Sequence, residues 1–135
     1  MSGFKVIRSE DTELISYGPK SDLRVLIGDD AGSTTIRTAL QTCKKGYDVP
    51  IHCHPYIEYL IVLQGAAEFR IEDNGTQTVV LKKGDSVELR PDVWHAFSAV
   101  SDEDTLLMGI HLSRRRIVNY KEEVKTDARG FRVQS

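Results

Sequence analysis

Between residues 21 and 112 the chain runs as short β-branched, aromatic and aliphatic segments, each cut by a turn signal before it could grow long. GDDAG at 28–32, DNG at 73–75 and KKGD at 82–85 are the clearest cuts, because Gly supplies positive φ and Asn and Asp tolerate it. DNG is better explained as a hairpin turn than as part of a glycosylation site. The segments predict strands at 4–8, 23–27, 34–43, 58–63, 67–72, 78–81, 86–89, 95–100 and 105–112, with room for one turn of helix in 9–17. A parallel sheet would need covering helices that the pattern does not contain, so the fold class is an all-β sandwich or barrel. A chain of 135 residues supports one such core, and no internal repeat suggests a second.

One stretch concentrates chemistry: GYDVPIHCHPYIEYLIVLQG, residues 46–65. Side chains at i and i+2 of a strand share a face, so His52 and His54 can hold one ion while Cys53 points the other way. Pro55 cannot donate to a ladder, which predicts a turn before Glu58 opens the next strand. His95, in GDSVELRPDVWH, is the fourth candidate. A lone His on an apolar strand is more often a hydrogen-bonded core or surface residue. Here His52, His54 and His95, three of the chain's four histidines, fall at close or motif positions beside a carboxylate, and that favours a metal site.

Three imidazoles and one carboxylate suit Fe(II), Mn(II), Ni(II), Zn(II) or Cu(II), a divalent transition metal whose identity ligand type does not settle. Positions left open on such an ion favour an anionic oxygen. By strand parity with these residues, Leu60, Phe69 and Phe97 are expected to line an apolar pocket for a small molecule. Tyr56 and His111 are polar candidates nearby; their bland alternatives are a turn residue facing water and a satisfied residue on the last strand.

The same residues resemble the cupin superfamily. The first cupin motif, with Gly, His-x-His, Glu and Gly at fixed intervals, is filled by Gly46, His52, His54, Glu58 and Gly65. In the second motif Gly84 and His95 fit, while Arg90, Asp92 and Ala99 stand where the pattern has Pro, Gly and Asn. The resemblance spans roughly residues 40 to 112, and its first motif is specific. It implies a double-stranded β-helix, a jelly-roll barrel with the metal inside. Residues 1–135 then form one cupin domain with its core at about 34–112 and a charged C-terminal extension at 113–135. It also implies a homodimer and an enzyme acting on a small oxygen-bearing substrate. Dioxygenases lead, ahead of decarboxylases, lyases and isomerases, with Glu58 both ligand and catalytic group. A metal-bearing binding or sensor module is the non-catalytic alternative, and a metal-independent sugar epimerase a weaker one.

Charge excludes little else. A formal net charge of −2 gives no electrostatic reason to expect nucleic acid or an acidic membrane as partner, and no helix-turn-helix pattern appears. No apolar run is long enough to span a bilayer and the first residues lack the apolar core of a signal peptide, so a cytoplasmic location is the default expectation. Cys43 and Cys53 lack zinc-ribbon or redox spacing and are expected as reduced thiols, although their closeness permits a bond if their strands pack together. In the tail, Ile117, Tyr120 and Val124 are spaced to give a short helix an apolar stripe. Arg114, Arg115 and Arg116 form a basic cluster. Such clusters are usually solvated, with binding of an anionic partner or substrate as the sharper alternative. The run 59–63 agrees with burial on both faces, one meeting the pocket and the other a second subunit.

Overall fold

The computed structural model describes residues 3–133 as two antiparallel sheets stacked in a jelly roll. In chain order a 3-10 turn at Ser9–Asp11 precedes β1 (Ile15–Ser16), β2 (Ser21–Ile27), β3 (Arg37–Cys43), β4 (His52–Cys53) and β5 (Glu58–Gln64). Then come β6 (Ala66–Glu72), β7 (Thr76–Lys82), β8 (Ser86–Leu89), β9 (Trp94–Ala99), β10 (Thr105–His111) and β11 (Asn119–Tyr120). One sheet is ordered β1-β2-β3-β10-β5-β8 and the other β11-β4-β9-β6-β7, so the chain crosses between sheets repeatedly. No helix among the described residues is long and apolar enough to cross a membrane.

Alternation builds the interior. Leu60 and Val62 of β5, Phe69 of β6, Phe97 and Ala99 of β9 and Leu107 of β10 are all buried. Fully removing the Leu, Val and Phe side chains among them from water stabilises by roughly 1.5–3 kcal/mol each. The DNG hairpin joins β6 to β7 with Asn74 at φ 54 and Gly75 at φ 96, two successive positive values that match the right-handed twist of the strands.

Several expectations need correction. Residues 4–8 form no strand, and Phe4 and Val6 are exposed. The third strand begins at Arg37 rather than 34, because residues 28–36 are used as loop. Within the single chain the 59–63 run turns Leu60 and Val62 inward and buries them, while Tyr59 and Ile61 are half-buried and Leu63 exposed. No helix forms among the described residues of the tail. Instead Asn119 and Tyr120 pair with Cys53 and His52, and an antiparallel bridge joins Thr126 to Arg132. Cys43 and Cys53 are both buried and free, one in each sheet.

Candidate metal centre

His52 and His95 are Cα partners across β4 and β9 of the second sheet, so their side chains emerge on one face with ring centroids 4.3 Å apart. Glu58 opens β5 in the other sheet and pairs there with His111, the last residue of β10. His54 and Pro55 lie in the segment that carries the chain from one sheet to the other. This crossing turns the His-x-His-x3-Glu spacing into convergence: one donor atom from each of His52, His54, Glu58 and His95 lies within 4.8 Å of all the others.

The proton positions follow from the partners. His52 Nδ1 lies 2.8 Å from the Pro50 carbonyl, His54 Nδ1 2.7 Å from that of Ile117 and His95 Nδ1 2.9 Å from that of Val93. A carbonyl only accepts, so each Nδ1 carries the hydrogen and each Nε2 presents a lone pair inward. Glu58 Oε1 faces two of them, 3.2 Å from His54 Nε2 and 3.4 Å from His95 Nε2. Oε1 and His95 Nε2 are buried with no hydrogen-bond partner. Electron pairs turned on one another in a buried centre repel unless a cation sits between them. A first-row ion with bonds of about 2.0–2.2 Å sets neighbouring donors roughly 3 Å apart, so the residues fit such an ion.

His111 has the opposite tautomer and a different task. Its Nε2 is 2.7 Å from Glu58 Oε2, to which it donates, and its Nδ1 accepts from Tyr56 Oη at 2.6 Å. The Ile117 backbone N–H donates in turn to the Tyr56 oxygen at 3.2 Å. Tyr56 also stacks on His54, centroids 5.1 Å apart and rings 16° from parallel. Burial pulls the Glu58 carboxyl upward, but His111, which donates to it, outweighs this and holds the group well below the usual carboxylate range. Burial, reinforced by His95, pushes His52 down to about 3, so it is neutral near neutral pH.

The four residues face a cavity of about 120 Å³. A cavity of comparable size, about 150 Å³, holds benzene, which sets the scale of an occupant. Leu60, Phe97 and His111 line it. The expectation for Phe69 is corrected. It sits on β6, one strand further from the histidines than Phe97, and is wholly buried with its ring 5.5 Å from that of Phe97. Tyr56 lies behind His54 and outside the lining. The turn before His95 is tight despite the departures from the cupin pattern: Asp92, in the Gly place, adopts φ 66 and its N–H reaches the His54 carbonyl at 2.8 Å.

Arg37, Arg116 and Arg132 line the same cavity; Arg37 and Arg132 were missed, while Arg116 was singled out only as part of the basic cluster. Arg37 had a legible signal, since parity along β3 puts it on the face of Ala39 and Gln41. Of the basic cluster only Arg116 turns inward, while Arg114 and Arg115 are exposed.

A family model described as a cupin domain matches residues 39–111. No curated protein gives a significant sequence match. Among solved structures, KdgF from Halomonas sp. is similar with a TM-score of 0.68 and 18% identity, over 83% of this chain and 96% of that one. Oxalate decarboxylase from Bacillus subtilis is similar with a TM-score of 0.72 and 20% identity, over 84% of this chain but 31% of that one. Hydroxypropylphosphonic acid epoxidase from S. wedmorenis gives 0.65 and 16%, over 81% and 59% of the two chains. At these identities the likeness is one of fold.

Proposed function

Because this chain belongs to the cupin family, we propose that it is a metal-dependent enzyme that binds a small oxygen-bearing organic molecule at His52, His54, Glu58 and His95. The reaction type we favour is a dioxygenase. The observation that carries the metal is the set of three inward lone pairs around the unpartnered Glu58 Oε1. A divalent transition ion there supplies Lewis acidity and, if it is a redox metal, electron transfer to dioxygen. The chain's own residues do the rest. Leu60 from one sheet and Phe97 from the other exclude water from the cavity, and His111 holds Glu58 so that a single oxygen faces the centre.

A redox-neutral decarboxylase, lyase or isomerase is the second reading, favoured by the Tyr56–His111–Glu58 chain. Those hydrogen bonds run from the phenol through His111 to the buried carboxylate, the direction that delivers a proton to Glu58 Oε2. The deciding experiment loads the protein with Fe(II), Mn(II), Ni(II), Zn(II) or Cu(II) and supplies diketones, flavonols, thiols and short carboxylic acids. Oxygen uptake with product supports the dioxygenase, and product without oxygen supports the second reading. No turnover with any metal leaves a non-catalytic binding barrel. Two free buried thiols support a reducing, cytoplasmic setting as part of this proposal. The homodimer belongs to it too, supported by exposed Val79 and Val80 on the outer strand β7; a monomer in sedimentation at micromolar concentration overturns it.

A further inference from the structure

The row of inward side chains that contains Glu58 does not end with His111. His111 is the Cα partner of Glu58 on one side and of Arg37 on the other, so β5, β10 and β3 present Glu58, His111 and Arg37 side by side toward the cavity. Arg37 is only 5% exposed. One of its N–H groups donates to the Asp29 carbonyl at 2.5 Å, which leaves further donors of a five-donor fork on a residue that lines the cavity. Arg116 lines the cavity from residues beyond β10, with one N–H on the Gly130 carbonyl at 3.0 Å and its guanidinium 4.7 Å above the Phe131 ring.

Neither arginine has a carboxylate within ion-pair distance among the described residues. The nearby Asp30 is engaged by Arg129 at 2.8 Å instead. Burial holds Arg37 below its ordinary value, and the Arg116 charge adds to this while Asp30 and Asp29 oppose it. Two guanidiniums facing one small space are costly unless something anionic lies between them. Among the lining residues Glu58 is the one carboxylate, and it is already held by His111.

Resting on the metal reading above, we propose that the substrate is a small dianionic organic acid. One anionic oxygen group meets the metal centre and a second is gripped by Arg37 with Arg116. The guanidinium fork matches a carboxylate in a bidentate manner, which sets orientation as well as affinity. Leu60 and Phe97 cover the short apolar stretch between the two charged ends. The cavity volume limits that stretch to a few carbons.

The test compares malonate with its monoamide, malonamate, which is nearly the same size but carries one charge less. Binding is measured by calorimetry on the full chain, with metal content determined on the same samples. Malonate is expected to bind about tenfold or more tighter than malonamate. In Arg37→Gln that preference shrinks to under about threefold while metal content stays at the parent level, and in Arg116→Gln it falls partway. Arg37→Lys, which keeps charge but not the fork, retains part of it, and circular dichroism confirms that each variant is folded. Equal binding of the two ligands by the parent protein overturns the proposal without any variant. So does a preference that survives intact in both glutamine variants, since malonate would then be chelating the metal alone. A parent protein that holds no metal yet shows the arginine-dependent preference sinks the metal reading and leaves the anion site standing.

Discussion

The direction of three hydrogens separates a metal centre from a cluster of core histidines. Each Nδ1 is spent on a backbone carbonyl, so none of His52, His54 and His95 can donate to Glu58 from Nε2 without becoming charged. Removing one of these lone pairs should cost metal affinity rather than the fold: His95→Ala is expected to lower affinity by more than about a hundredfold in chelator competition, with an unchanged circular dichroism spectrum. His111→Phe leaves the ligands in place but takes the donor from Glu58 Oε2, and a loss of about tenfold to a hundredfold is expected. Parent-like affinity in either variant would contradict the assignment. The pH dependence follows from His52, which burial and His95 push down to about 3, against an unfolded value of about 6.5. Between those values the unfolded chain binds the extra proton, so the contribution of His52 to stability is present above about pH 6.5 and is lost as pH falls toward 3. Glu58, also held low in the fold, adds a loss of the same sign once pH falls below its ordinary range near 4.3. For metal-free protein, urea unfolding between pH 7.5 and 5 should show stability falling by roughly 2 kcal/mol, and a flat profile would contradict it.

Among the elements, the corner between β5 and β6 is the most constrained. Gly65 sits at φ 75, and a Cβ there would lie 2.7 Å from both Ser101 Oγ and Thr105 Oγ1 and 2.9 Å from the Thr105 Cα. Gly65→Ala therefore combines an unfavourable backbone with an overlap the backbone cannot relieve, and a loss of about 3 kcal/mol is expected in chemical denaturation. Asp92 tests the opposite case. It occupies φ 66 without needing its Cβ, so Asp92→Gly should change stability by no more than about 1 kcal/mol, on the stabilising side. Both positions were reached only through the cupin resemblance, Gly65 as the closing Gly of the first motif and Asp92 in the Gly place of the second. Strands such as β5, β6 and β9 were readable because seven or so alternating residues carry a periodic signal. The two-residue strands β4 and β11 carry none, and the pairing that replaces the expected tail helix depends on where β4 lies in space. Arg37 was overlooked for a related reason: a charged residue on an inward face is legible only once the face is assigned.

Across the whole molecule, the tail completes the site that the two motifs begin. The Ile117 carbonyl fixes the His54 tautomer from 63 residues away, and its N–H supports Tyr56. Tyr120 pairs with His52, and Lys121 N–H reaches the Ile51 carbonyl at 3.0 Å, tying the same segment along the outer side of β4. Further on, buried Phe131 packs edge-on to Tyr17, their centroids 6.2 Å apart, and joins the tail to the first sheet. These two parts of the tail should be separable. Deleting residues 122–135 removes Phe131 but keeps Ile117 and Tyr120, so stability should fall by roughly 1.5–3 kcal/mol while metal affinity stays within about threefold of the parent. Deleting residues 113–135 also removes the carbonyl that holds His54, and metal affinity should then fall by about tenfold to a hundredfold. Chelator competition on both truncated chains, with circular dichroism to establish that each is folded, measures the difference. If the longer deletion binds metal as tightly as the shorter, the carbonyl of Ile117 does not set His54, and the centre is organised by residues 46–111 alone.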